Sequence, residues 1–269
     1  MKKTFILAWT QSPCNLIEGT PGYLTWGLGD LLRSTIGALR FCEQAGCECI
    51  VDISLHPIST LLEVKTHPFS DLVKSRKDTL FAFNTYELVD FLNEEFKKGD
   101  VACCFAHWGV DTYNTPPTPQ IIAAIENILT PNAMFADYMQ RMKAAIPWPT
   151  YSILHFRLGD TELLQGIEHT EFTPYIELAK KYNDYFDILL SDSPNFKEKL
   201  VNQLDIYTFK QPVAHLGVHG GVERIQHTLF EFFLLTKAQT IKTYSVHSWS
   251  SGFATVAAYL YKIPLIKIQ

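Results

Sequence analysis

Three short stretches in the second half of the chain hold the residue types that phosphate and nucleotide chemistry needs. The first is His155-Phe156-Arg157-Leu158-Gly159-Asp160, which closes the apolar run YSILHF. Alternation along a strand sends His155 and Arg157 to one side. A guanidinium there offers a planar fork of donors that fits phosphate oxygens; an Arg157–Asp160 ion pair stiffening the turn is the competing reading. The second stretch is Leu189-Leu190-Ser191-Asp192-Ser193-Pro194. The Asp192 carboxylate could accept two N–H donors from a guanine edge, although an Asp or Ser before a helix more commonly caps it. The third is Val246-His247-Ser248-Trp249-Ser250-Ser251-Gly252, followed by Phe253. Small hydroxyl residues opening a helix make an anion site from N–H groups, hydroxyls and the positive end of the helix dipole. Ordinary N-capping by Ser250 or Ser251 is compatible with that use.

The first half adds Gly27-Leu28-Gly29-Asp30. Glycines at 27 and 29 permit close backbone approach to a ligand, but a dinucleotide fingerprint needs a third glycine where Leu32 stands. G-x-x-x-x-G-K-[ST], G-x-S-x-G and H-E-x-x-H are all absent. The thirteen Asp residues include no pair two positions apart, so no D-x-D clamp exists to hold a metal on a diphosphate. A sugar-nucleotide enzyme built from these residues would neutralise its leaving group with Arg and helix termini. His215, His219, His227 and His247 match no metal-site spacing and are expected to be hydrogen-bonded or surface histidines. Cys14, Cys42, Cys47, Cys49, Cys103 and Cys104 form no C-x-x-C pair and are expected as free thiols.

These residues need strands and helices to position them. Strands are expected over 3–9, 49–55 and 101–106, with a Gly-rich turn at 27–30 leading into a helix that ends near Ala45. In that helix Leu32, Ile36 and Leu39 fall on one face, and Gly46 is a plausible stop. A helix over 119–129 starts with Thr118 as cap and Pro119 at its first position, and another covers 133–145. Pro147-Trp148-Pro149 marks the expected domain boundary, giving domains 1–148 and 149–269. Beyond it the pattern alternates: strands over 151–156, 187–190, 240–245 and 264–268, with helices over 174–181, 195–204, 221–236 and 251–261. That is the pattern of an α/β protein with parallel sheets.

At 269 residues, 47% hydrophobic and 19% charged, the chain can bury a sizeable core without disulfides or a structural metal. Its net charge of −5 argues against a protein that binds nucleic acid or a membrane surface through bulk positive charge. The apolar run in MKKTFILAW is too short for a signal peptide, and no stretch approaches a membrane span. A cytoplasmic chain with no integral membrane segment is the expectation.

Taken in order, the Gly-rich loop, His-x-Arg-x-Gly-Asp, Ser-Asp-Ser-Pro and the Ser-Ser turn resemble a family. They are similar to the motifs of the metal-independent GT-B fucosyltransferases, which include α1,2-, α1,6-, nodulation and protein O-fucosyltransferases. The resemblance covers residues 151–269, and in the first half only about 27–55. It implies two Rossmann-like domains facing a cleft, the first on the acceptor side and the second binding a GDP-sugar. It also implies an inverting transferase moving fucose from GDP-fucose to a glycan hydroxyl, with no cofactor and no metal. Arg157 would bind the β-phosphate, His155 and Asp192 would contact guanosine, and Ser250 and Ser251 would hold the phosphates at the helix start, with Gly252 and Phe253 also in the nucleotide-sugar site. Gly27 and Gly29 would let the first loop close over the donor. For the general base, Asp30 is slightly favoured over Glu162 and Glu168, although Asp30 could equally be an N-cap. The sequence departs from the family at Leu158, where a basic residue is common, and at Ser193, where a second Asp is usual. A transferase for another GDP-sugar such as GDP-mannose, or a catalytically silent nucleotide- or glycan-binding GT-B domain, are the alternatives.

Overall fold

The computed structural model describes residues 2–9, 27–76, 85–104, 113–158, 171–214, 216, 221–247 and 250–269. The chain divides into two compact units, Met1–Phe135 and Ala136–Gln269.

The first unit holds a three-stranded parallel sheet in the order β2-β1-β3, formed by Thr4–Ala8 (β1), Glu48–Asp52 (β2) and Val101–Cys104 (β3). Every residue of β1 is buried, as its unbroken apolar run requires of a central parallel strand. Helix α1, Leu28–Ala45, links β1 to β2 and buries Leu28, Leu31, Leu32, Thr35, Ile36, Ala38 and Cys42, a stripe at helical spacing. It ends at Gly46, whose φ of 66° is left-handed and whose N–H bonds the Cys42 carbonyl. The expected glycine turn is in fact the first turn of α1. Gly27, in extended conformation, is the cap residue, and its carbonyl accepts from the N–H groups of Asp30 and Leu31. Three elements were not anticipated: a 3-10 turn at Pro57–Thr60, α2 (Ser70–Arg76) and α3 (Thr85–Lys98). Helix α4, Pro119–Ile128, begins as expected, with Thr118 Oγ1 accepting from the Ile121 N–H at 3.2 Å. Cys42, Cys47, Cys49, Cys103 and Cys104 are free thiols.

Helix α5, Ala133–Ala144, carries the division between the units. Phe135 is fully buried, and Tyr138 bonds His227 at 2.9 Å within the second unit. Trp148 meets Tyr185, Phe186 and Tyr207 edge-on, so the proline turn at 147–149 is tied into the second unit. The division therefore falls earlier than the boundary at 148/149 that the prolines suggest.

The second unit is built on five parallel strands in the order β6-β5-β4-β7-β8: Ser152–Arg157 (β4), Asp187–Ser191 (β5), Tyr207–Thr208 (β6), Ile241–Ser245 (β7) and Leu265–Lys267 (β8). Its helices are α6 (Thr173–Tyr182), α7 (Pro194–Val201), α8 (Val222–Leu235) and α9 (Gly252–Tyr261). Leu154 and Phe156 of β4 join a core with Ile176 of α6 and with Phe196 and Leu200 of α7. By alternation His155 and Arg157 face the other way, where the His155 ring stacks on Phe253 of α9. The two-residue edge strand β6 was missed by sequence reasoning, being too short for periodicity to register. Among the described residues, no helix is long and apolar enough to cross a membrane.

At the amino end of this sheet Lys242 is buried in β7 and donates to the Tyr182 carbonyl, to Asp184 and to Asp187 Oδ2 at 2.8 Å. Burial opposes the Lys242 charge, but hydrogen bonds to the two carboxylates outweigh it and raise its pKa above the ordinary value. Burial raises the Asp187 carboxyl despite its lysine partner. Removing one member of such a buried pair strands the other. Lys242→Met should therefore destabilise the protein by about 3–5 kcal/mol in urea unfolding.

Candidate functional site

In an open parallel sheet, ligands bind beyond the carboxyl ends of the strands, where the strand order reverses. From β4 the second unit's chain goes outward through β5 and β6, then returns to the other flank as β7 and β8. The reversal lies between β4 and β7. Parallel register sets His155 beside Thr243 and Arg157 beside Ser245 there, and the Val246 N–H donates to the Arg157 carbonyl at 3.2 Å. Arg157, the last residue of β4, is partly exposed at this crevice.

His155 is 6% exposed, with Nδ1 hydrogen-bonded to Thr243 Oγ1 at 3.0 Å. Its ring lies nearly parallel to Phe253, centroids 6.2 Å apart. Burial, and secondarily the neighbouring Arg157 charge, push its pKa down to about 3. The imidazole is thus neutral at physiological pH, leaving Arg157 the cationic member of the pair.

In the Ser-Asp-Ser-Pro stretch the serine takes the capping job and the aspartate a different one. Ser193 caps α7, its Oγ accepting from the Phe196 N–H at 3.2 Å. Asp192 instead reaches across to β4, where Oδ1 accepts from the Leu158 N–H at 2.7 Å. This bond ties the carboxyl ends of β5 and β4 together and fixes the carboxylate at the sheet edge.

On the other flank, Ser251 is 1% exposed and occupies the cap position of α9 without a side-chain cap bond. Gly252 and Phe253 form the first turn of α9, with Ser250 just before it. The capping use expected of the serines is therefore not made through the Ser251 side chain. Together the second unit brings His155, Arg157, Asp192, Ser250, Ser251, Gly252 and Phe253 to one edge of one sheet.

Asp30 belongs to the first unit. The N-cap reading is corrected, because Gly27 is the cap and Asp30 lies inside the first turn of α1. A carboxylate there is favoured by the helix dipole, and Oδ1 accepts from Arg33 Nη2 at 3.2 Å. Gly29 is buried in the same turn. Gly159, Asp160, Glu162, Glu168, His215 and His219 lie outside the described residues, and with them the proposed Arg157–Asp160 pair. His227 is fully buried and bonded to Tyr138, a hydrogen-bonded histidine as expected.

Sequence reasoning missed a cluster at the carboxyl edge of the first sheet. Asp52 accepts from the Ser54 N–H at 2.7 Å and from His67 Nε2 at 2.8 Å, while His67 Nδ1 accepts from the Phe69 N–H. Both ring nitrogens of His67 are committed, so the pair closes a loop. It was also blind to Thr243 as the partner of His155, since only strand register discloses that pairing. Among the described residues, no group of three or more His, Cys, Asp or Glu side chains could hold a metal ion.

No family model matches the chain, and no curated protein matches it in sequence. Solved structures do match its fold. NodZ α-1,6-fucosyltransferase co-crystallised with GDP aligns with a TM-score of 0.55 at 15% identity, over 97% of this chain and 93% of that one. A mutant of Arabidopsis thaliana FUT1 in complex with GDP gives 0.54 at 11% identity, over 98% of this chain and 70% of that one. POFUT1 in complex with GDP gives 0.52 at 10% identity, over 99% and 98%. The fold is that of the GT-B fucosyltransferases. The carboxyl edge described above is thus an edge of the second sheet of that fold, the fold that the resemblance of the motifs implies.

Burial of His155 has a consequence for stability. Its folded pKa of about 3 lies below the ordinary 6.5. Between these values the unfolded chain binds a proton there and the folded chain does not. Stability is complete above pH 6.5 and falls as the pH drops through this window, by up to about 1.4 kcal/mol per pH unit. In urea unfolding at pH 7, 6 and 5, His155→Asn should flatten this dependence relative to the parent protein.

Proposed function

We propose that the chain is an inverting, metal-independent glycosyltransferase that transfers fucose from GDP-fucose to a hydroxyl of a glycan. The observation that carries this reading is the location of Arg157, at the end of the central strand, where the sheet order reverses and opposite the start of α9. Its guanidinium and the N-terminus of α9 supply positive charge on two sides of one crevice. The fold is shared with fucosyltransferases whose structures hold GDP or GDP-fucose.

In the proposed reaction an acceptor oxygen attacks the anomeric carbon as the bond to the β-phosphate oxygen breaks, and the electron pair leaves with GDP. The charge that grows on the diphosphate is taken up by Arg157 and by the first turn of α9, with Ser250 and Ser251 beside it. Neutral His155 holds the wall behind Arg157 without competing for the anion. Asp192 reads the guanine N–H edge. The acceptor proton goes to a carboxylate, Asp30 or Glu162.

Calorimetric titration in EDTA with GDP, GDP-fucose, GDP-mannose and UDP tests the nucleotide site. GDP should bind without metal, and Arg157→Ala should weaken it by about 1.5–3 kcal/mol, or roughly 10- to 150-fold. Tighter binding of GDP-mannose than of GDP-fucose would change the donor assignment, and no binding of any guanine nucleotide would overturn the reading. For the base, GDP release from GDP-fucose in the presence of a glycan panel should fall about 10²- to 10⁴-fold in either Asp30→Asn or Glu162→Gln, with GDP affinity retained.

A further inference from the structure

Lys197 is the residue at this edge whose cost the elements described so far do not explain. It lies in α7 and is 5% exposed, a rare condition for lysine. Its Nζ donates to the Phe209 carbonyl at 3.1 Å and to the Gln211 carbonyl at 3.4 Å. An apolar side chain would fill the same space without desolvating an amino group.

What the amino group secures is a ribbon of irregular backbone. β6 ends at Thr208, and the chain then runs on with no helix or strand of its own, burying Phe209, Val213 and Ala214 and exposing Lys210, Gln211 and Pro212. Where it is buried, such a segment must find partners for its backbone polar groups. Lys197 supplies them at one end. At the other, Thr228 of α8 takes the Ala214 N–H on its Oγ1 at 2.8 Å and bonds the Ala214 carbonyl at 3.1 Å. Phe209 anchors the same end as Lys197, edge-on to Phe230 at 5.1 Å. Two helices thus grip one ribbon from both ends.

The ribbon's place in the sheet suggests its use. β6 is parallel to β5, so residues 209–214 continue past the same carboxyl edge that carries Asp192. With strands about 4.8 Å apart, β6 lies roughly 10 Å from β4. A nucleotide with its diphosphate at Arg157 and its base edge at Asp192 points its base toward the ribbon. We infer that Lys197 is a positioning residue for nucleobase selection, holding the 209–214 backbone as the far wall of the base pocket opposite Asp192. The inference rests on the proposed nucleotide site and adds to it the residue that shapes the base-selective side.

Titration of the full chain with GDP, ADP and UDP tests it, comparing the parent with Lys197→Met, which keeps the aliphatic stem and removes the donors. GDP affinity should fall on the order of 10-fold while the weaker binding of ADP and UDP hardly moves, so base discrimination contracts. A purely structural role would lower all three affinities together or lower the melting temperature alone. Either outcome, or no change, overturns the inference. Hydrogen exchange on the parent protein needs no substitution: GDP should protect the amides of Lys210, Gln211 and Val213, and ADP should not. Equal protection by both, or none, also overturns it. If the parent binds no guanine nucleotide, the proposed function fails first, a result distinct from an unaltered GDP-to-ADP ratio in Lys197→Met.

Discussion

Parallel pairing of β4 with β5 on one side and β7 on the other is the constraint on which the second unit depends. In a parallel sheet all strands end on the same edge, and each connection must cross back over a face. Once β4 is central, Arg157, Asp192 and the start of α9 share an edge although they lie far apart in sequence. The Asp192–Leu158 bond then locks β5 to β4 at that edge, and the His155–Thr243 bond locks β7 to β4 one step below it.

The two ends of this sheet treat buried polar groups differently. At the amino end Lys242 gathers Asp187, Asp184 and the Tyr182 carbonyl around one buried ammonium. At the carboxyl end the bonds tie strand to strand instead: neutral His155 meets Thr243, and Asp192 Oδ1 accepts from the Leu158 N–H, while Ser251 makes no side-chain cap bond. In the first unit His67 is committed to Asp52 and to the Phe69 N–H.

Much of the architecture was legible in the sequence. The buried runs at β1 and β4, the stripe of α1, the Gly46 stop and the Thr118-Pro119 start of α4 are local signals. The Gly27-Leu28-Gly29-Asp30 turn misled, because glycines read as loop, although here one caps a helix and the other is buried inside it. The helix over Ser70–Arg76 and the short strand β6 went unread for lack of length, whereas the helix Thr85–Lys98 carries an amphipathic pattern as marked as that of α1 and was legible in the sequence.

By itself the sequence determined which residue types stand at each strand end and which way they alternate, because caps, alternation and glycine stops act over a few positions. It therefore named Arg157, His155, Asp192 and the serines before α9. Tertiary structure alone decided their partners. His155 meets Thr243 across 88 positions, Asp192 meets Leu158 across 34, and Lys197 meets Phe209 across 12. Those pairings follow from strand order and register, which the whole sheet sets collectively. The same collective choice turned an unremarked lysine in a charged helix into a buried donor beside the carboxyl edge of the second sheet.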